Sequence, residues 1–276
     1  MKANERFNRQ ELNFWADVRL ISQLTGYTDR KTKAIKVPTI DEIVQEYERL
    51  DLSTFEIQDS GELTPYGSLL IDYFQYRSDI LNKTVKNLLM NLDEAKSLFE
   101  RLYQTYDHTN VPLPMNKQKG DKKQYAFFTC IINLLISNAL NDKKCDYDPR
   151  NLTLITKNRR PYRTLSRRVD GCFPSSQDPV ALWEIKEYYY TTTFGSRVAD
   201  GVYETLVDGL ELKQLLSADK RKVFHYLMID SYQTWWIQGR SYLCRMIDLL
   251  NMGMVDEILF GKEVVDRIPE LVKDWS

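Results

Sequence analysis

The chain has 276 residues and a mass of 32.6 kDa, enough for one large domain or two modest ones. With 43 % hydrophobic and 28 % charged residues it is not a disordered chain, a collagen-like repeat or a disulfide scaffold. The net charge of -1 conceals an uneven distribution: 13 basic and four acidic residues lie between Lys117 and Arg168, a local net of +9, which leaves -10 for the rest. A basic segment in an acidic frame fits either a polyanion partner for one surface or a set of solvated basic loops. The longest apolar run, around Ala126–Leu140, is broken by Thr129, Asn133 and Ser137, short of the roughly 18 to 20 residues of a membrane span. Residues Met1–Arg6 are polar and have no signal-peptide character. Cys130, Cys145, Cys172 and Cys244 form no CxxC pair. Free thiols, a cytoplasmic location and no membrane association are expected.

In chain order, the first hundred or so residues read as helical. Arg9–Leu24 spaces Leu12, Trp15, Val18, Ile21 and Leu24 on a helical stripe. Thr39 followed by Glu42 predicts a capping box ahead of Ile43, Tyr47 and Leu50. Tyr66–Tyr76, Asp79–Leu92 and Leu92–Tyr106 continue the pattern. The Ser60–Gly67 stretch is a turn entering a helix, a winged-helix wing or a link within a plain helical bundle. The Pro-, Lys- and Gly-rich stretch 110–123 predicts a boundary between a helical domain, residues 1–110, and a second domain, residues 111–276.

Beyond it, Gln124–Leu140 predicts a buried helix. Strand-like runs follow at Leu152–Thr156, Thr164–Phe173, Val180–Tyr190, Val223–Asp230 and Val255–Leu259. Helical stripes lie at Gly195–Leu212 and Ser241–Met252. This order predicts an α/β fold, a mixed central sheet flanked by helices and preceded by the helical N-terminal domain.

Two runs carry chemistry: Arg167-Arg168-Val169-Asp170-Gly171 and Leu182-Trp183-Glu184-Ile185-Lys186. Strand alternation puts Glu184 and Lys186 on one face and Trp183 and Ile185 on the other. A glutamate and a lysine on one face of an apolar strand are costly unless paired or used. Gly171 permits a sharp turn, and Cys172–Pro179 has the length of a loose hairpin connection. If the strands pair, Asp170 lies beside Glu184. Two carboxylates with the Ile185 carbonyl then suit Mg²⁺, with Mn²⁺ as a substitute, and the metal would activate water and shield a phosphodiester. Lys186 beside the metal is expected to have a lowered pKa and to orient or deprotonate the attacking water.

At these residues the sequence resembles the PD-(D/E)xK phosphodiesterase superfamily and, within it, the type II restriction endonucleases. Asp170 matches the first acid, preceded by Val169 where proline is usual, and Glu184-Ile185-Lys186 matches the (D/E)xK element; the similarity extends over 124–260. The resemblance implies a Mg²⁺-dependent endonuclease, a homodimer cutting double-stranded DNA at a short specific site. The alternative at the residue level is a surface ion pair between Glu184 and Lys186, against which Ala181, Leu182, Trp183 and Ile185 indicate a buried strand. At the level of function the alternatives are a non-specific anti-phage or repair nuclease, and a DNA-binding protein with structural carboxylates.

Arg168 shares the parity of Asp170 and is expected to face the same side. With Lys157, Arg159, Arg160, Arg163 and Arg167 it is a candidate phosphate contact, as are Ser196 and Arg197 at a helix N-terminus. Tyr188–Tyr190 reads as sheet packing or as hydroxyls and rings that reach a DNA backbone or base, and Glu204 as a solvated helix face or an outer-shell carboxylate for a second metal. His108 and His225 lack metal-ligand spacing, and Trp235 and Trp236 read as core, with Gln238 and Arg240 as weaker DNA-contact candidates.

Overall fold

In the computed structural model, residues 1–29, 31–116, 124–141, 143–190 and 195–275 are described, without the side chain of Ser196. Lys117, Lys119, Lys122 and Lys123 of the basic segment, and Thr191–Thr193, lie outside the described residues.

The N-terminal helices are set by local chemistry. Helix α1 (Leu12–Thr25) buries Phe14, Trp15, Val18 and Ile21. Helix α2 (Ile40–Arg49) starts at the expected capping box, the Thr39 hydroxyl accepting from Glu42 N and the Glu42 carboxylate accepting from Thr39 N. A short hairpin of β1 (Gln58–Asp59) and β2 (Glu62–Leu63) precedes α3 (Pro65–Asp79), which Thr64 caps with proline at its first position. The α3 helix continues through a π-helical stretch, Ile80–Val85, into α4 (Lys86–Leu88). Phe7, Trp15, Ile43, Leu70, Tyr73 and Phe74 belong to the core of this region.

Helix α5 (Leu92–Thr105) has its own capping box, Asn91 with Glu94. It buries Ala95, Leu98, Phe99 and Leu102 in one cluster with α6 (Phe127–Leu140), so its packing partner lies on the C-terminal side and not among α1–α3. Helix α6 is apolar on almost every side and is buried accordingly.

A hairpin of β3 (Leu154–Lys157) and β4 (Arg160–Thr164) stands apart from the main sheet. The main sheet runs β5 (Gly171–Phe173), β6 (Ala181–Glu187), β7 (Phe224–Asp230) and β8 (Glu257–Phe260) in spatial order, with β5 antiparallel to β6 and the other pairs parallel. Helices α7 (Ser196–Asp219) and α8 (Arg240–Asn251) make the connections of the parallel pairs. The chain is therefore mixed α/β with a mixed sheet and flanking helices. Trp183, Tyr226, Met228 and Leu259 face α6 and α9 (Val264–Trp275), while Leu227, Ile229, Ile258 and Phe260 pack in the cluster with α8 and Val198 and Val202 of α7.

Three differences from the sequence reading have physical causes. The run 164–173 is not one strand: β4 ends at Thr164, and Ser166 N and Oγ donate to Glu211 of α7, so 165–170 crosses to the sheet as irregular chain. Gly171 has no positive φ and makes no sharp turn. A Cβ there would sit 2.2 Å from the Trp183 ring, so glycine is needed for the close approach of the indole. Helix α9 has no counterpart in the sequence reading; it encloses Pro269, and its Trp275 stacks on Trp183 at 5.4 Å.

Candidate active site

The β5–β6 register places the site. Gly171 pairs with Trp183, so the preceding residue, Asp170, falls opposite Glu184. Asp170 N donates to Trp183 O and to Glu184 Oε1, both at 3.2 Å, and Ile185 N donates to Asp170 Oδ2 at 2.8 Å. Strand alternation turns Glu184 and Lys186 toward α7, as expected, while Trp183 faces α6. Lys186 Nζ donates to Glu184 Oε2 at 2.8 Å and to Glu204 Oε2 at 2.6 Å. Asp170, Glu184 and Lys186 therefore converge. Glu184 is wholly buried, and Asp170 keeps solvent-accessible surface at the cleft although protein crowds its carboxyl.

Two further acids join them from α7. Glu204 and Asp208 lie four residues apart, on one face of the helix. Arg167 occupies the space between: its guanidinium contacts Glu184 Oε1 at 2.9 Å and Oε2 at 3.0 Å, Asp208 Oδ2 at 2.7 Å and Glu204 Oε2 at 3.3 Å. Asp208 is fully buried and its Oδ1 accepts no hydrogen bond. Glu204, read from sequence as a solvated face or an outer-shell carboxylate, is part of the cluster. Four acids face two cations, a surplus of two negative charges when all four are ionised.

That surplus governs protonation. Burial, reinforced by Glu184, raises Asp170 to about 6 against the pull of Lys186. Burial raises Asp208 to about 7 against Arg167, with Glu184 adding to the rise. Glu184 moves the other way, because Lys186 and Arg167 outweigh its burial. Burial pulls Lys186 down, but Glu184, Asp170 and Glu204 overcome it and the net shift is upward. In the chain without a metal the surroundings of Lys186 favour the ammonium.

The donor set fits a hard divalent cation. Ile185 N and O share the strand edge that runs past the end of β5, where the Asp170 carboxylate lies. Asp170, Glu184 and the Ile185 carbonyl make an all-oxygen set, and the charge surplus and the unpartnered Asp208 Oδ1 both call for positive charge nearby. Among the described residues no group of three or more His, Cys, Asp or Glu side chains forms a metal-ligating set, so a cation at Asp170 and Glu184 would have two side-chain ligands and would need backbone oxygen and water to complete its shell. It also has to share Glu184 with Arg167 and Lys186.

On the α6 side Asp170 and Ile185 open onto a cleft of about 650 Å³, lined also by Tyr188, Tyr190, Asn133 and Arg197. The basic residues expected to contact phosphate separate into two groups. Arg163 bonds Gln214 at 2.6 Å and pairs with Glu211 at 3.7 Å, Lys157 pairs with Asp219, and Arg167 is held by carboxylates. An acidic stripe on α7 thus neutralises much of the segment 157–167 internally. Arg159, Arg160, Arg168 and Arg197 are exposed and form no ion pair among the described residues. Parity does not place Arg168 with Asp170, since 165–170 is not a strand; Arg167 turns into the cluster instead. Ser196 opens α7, and its side chain lies outside the description.

Other polar groups prove structural. Strand β6 ends at Glu187, so Tyr188–Tyr190 come after it and bond to protein: Tyr188 Oη donates to Arg197 O at 3.0 Å, Tyr189 to Asp230, and Tyr190 to Gln124 at 2.7 Å. Burial raises Glu187 to about 7 although it accepts from Thr129 N and Oγ1 of α6. Trp235 and Trp236 are core, and Trp235 Nε1 donates to Lys186 O at 3.3 Å. Arg240 lies over the Trp236 ring.

Asp208 is absent from the sequence reading, and Glu204 enters it only as an outer-shell carboxylate weighed against a solvated face. Their sequence signal is the spacing Glu204, Asp208, Glu211 on a single helix C-terminal to the basic segment.

No helix among the described residues is long and apolar enough to cross a membrane. No curated protein and no solved structure matches the chain. Two family models match, a Domain of unknown function (DUF7690) over residues 1–84 and a Domain of unknown function (DUF7687) over residues 90–275. They meet at the end of the α3–α4 helix, ahead of the boundary expected at 110–123, and the second takes in α5 together with the whole candidate site. Over the greater part of its length, residues 90–275, the chain belongs to the family described as Domain of unknown function (DUF7687).

Proposed function

We propose that the chain is a Mg²⁺-dependent deoxyribonuclease of the PD-(D/E)xK type, with Mn²⁺ as a competent substitute. The observation that carries this reading is the register that sets Asp170 opposite Glu184 with Lys186 on the same face. Asp170, Glu184 and the Ile185 carbonyl hold the metal, which when bound lowers the pKa of a water and shields phosphodiester charge. Lys186, steered by Glu184 and Glu204, presents its ammonium to a phosphate oxygen and stabilises the charge that develops on it. Asp170 links the buried cluster to the cleft. Arg159, Arg160, Arg168 and Arg197 are the remaining cationic contacts for the DNA backbone. Cutting both strands at a short palindromic site, as a type II restriction enzyme does, needs two such centres and hence a homodimer in the cytoplasm.

A second reading has its own support. Both oxygens of Glu184 already accept hydrogen bonds, which suits a structural cluster in a DNA-binding protein that does not cut. Supercoiled plasmid incubated with Mg²⁺ and wild type, Lys186→Ala or Asp170→Ala separates the readings. Discrete fragments lost in both variants support a specific nuclease, and a smear lost in both supports a non-specific one. Binding without cutting by folded wild type supports the structural cluster.

A further inference from the structure

Arg167 contacts three carboxylates, and the two that hold it most closely, Glu184 and Asp208, differ in one respect. Both Glu184 oxygens are engaged, whereas buried Asp208 uses Oδ2 and leaves Oδ1 without a partner. A guanidinium binds a carboxylate best through two parallel hydrogen bonds, and Asp208 receives only one of the two. A cation held by Asp170 and Glu184 would repel the guanidinium that now contacts Glu184 Oε1 at 2.9 Å.

We infer that Arg167 is a counter-ion with two seats. Without metal it bridges Glu184 and Asp208. When a divalent cation takes Glu184, the guanidinium withdraws to Asp208 and fills the place at Oδ1. Arg167 is a positioning residue in this scheme: it keeps Glu184 ionised and oriented before the metal arrives and then yields. Asp208 is the receiving seat, which accounts for a buried carboxylate with an unused oxygen beside a cluster that already has surplus negative charge. The inference rests on the proposed metal site.

Isothermal titration of the full-length chain with MgCl₂ tests it, with circular dichroism as the check on folding. Arg167→Met removes the competitor, and binding is expected to tighten by roughly ten-fold. Arg167→Gln does the same job if the methionine variant does not fold. Asp208→Asn removes the seat, and binding is expected to weaken several-fold. Part of that weakening is simple loss of nearby negative charge, so the deciding quantity is the coupling. In the Arg167→Met background, Asp208→Asn is expected to cost at least about three-fold less than it does in wild type. Equal cost in both backgrounds overturns the handover, as does an Arg167→Met protein that binds no tighter than wild type. Wild type that takes up no Mg²⁺ overturns the metal reading itself, and the handover with it.

Discussion

Two buried charge clusters in this chain are built on opposite principles. In the N-terminal region Arg77 and Asp248 face each other at 3.1 Å, Tyr73 Oη donates to Asp248 Oδ1 at 2.6 Å, and Arg77 Nη2 donates to Ser22 Oγ at 3.0 Å. One cation meets one carboxylate with neutral donors and acceptors around them, Arg77 Nε alone lacking a hydrogen-bond partner among the described residues of this pair, and α3 is thereby joined to α8. The cluster at Asp170, Glu184 and Lys186 has four carboxylates and two cations, and one buried oxygen is left over. A balanced pair holds the fold together; an unbalanced one has surplus negative charge, which protonation of Asp170 and Asp208 relieves and which, on the proposed function, an incoming cation would relieve.

The comparison breaks most visibly if the site residues have no effect on chemistry. Lys186→Ala and Asp170→Ala are expected to lower plasmid cleavage by about 1,000-fold or more, roughly 4 kcal/mol of transition-state stabilisation. Asp170→Ala should leave the thermal midpoint close to that of wild type, whereas Lys186→Ala, which deletes a buried cation paired with Glu184 and Glu204, is expected to lower it, as melting curves followed by circular dichroism would report.

At the balanced pair, Asp248→Asn leaves Arg77 buried beside a neutral group and is expected to cost about 3 kcal/mol in urea denaturation. Removal of one carboxylate charge from the unbalanced cluster has the opposite sign. Asp208→Asn is expected to stabilise the metal-free protein by about 1 kcal/mol at pH 8. Destabilisation by both changes would remove the contrast between the clusters.

Asp230 sharpens the comparison as a buried carboxylate held by neutral donors alone: Met90 N and Ser231 N at 2.8 Å, and the Tyr189 hydroxyl. Burial raises it from 3.8 to about 8 despite those donors. The folded state therefore binds this proton more tightly than the unfolded chain. The stabilisation is complete below the unfolded pKa and is lost as pH rises from about 4 to about 8. Wild type is expected to lose about 3.5 kcal/mol between pH 5 and pH 8 from this group, and Asp230→Asn to flatten that slope in urea titrations at the two pH values. The smallest effect expected is at α2, where Thr39→Ala should cost about 1 kcal/mol through loss of the N-cap.

Legibility in the sequence divides between local and distant contacts. Local signals read well: the capping box at Thr39, the apolar helix α6, and the period-two pattern that puts Glu184 and Lys186 on one face. The antiparallel placement of Asp170 came from one hairpin-length connection. Contacts between distant elements read poorly. The surplus of basic residues from Lys117 to Arg168 suggested an external polyanion, yet Glu204, Asp208, Glu211 and Asp219 of α7 absorb Lys157, Arg163 and Arg167. The β3–β4 hairpin and the irregular stretch 165–170 meet α7 and bring those charges together, and periodicity carries no information about that packing. Gly171 likewise looked like a turn residue because its neighbour across the sheet, Trp183, cannot be known from a local reading.

The most direct test is to map the DNA ends left by the purified wild-type chain on a plasmid of known sequence, with Mg²⁺ and with EDTA. Breaks at fixed positions that need Mg²⁺ and disappear in Lys186→Ala are the expected outcome. Intact plasmid after prolonged incubation of folded protein with Mg²⁺, or breaks that persist in Lys186→Ala, would contradict a phosphodiesterase centre at Asp170, Glu184 and Lys186.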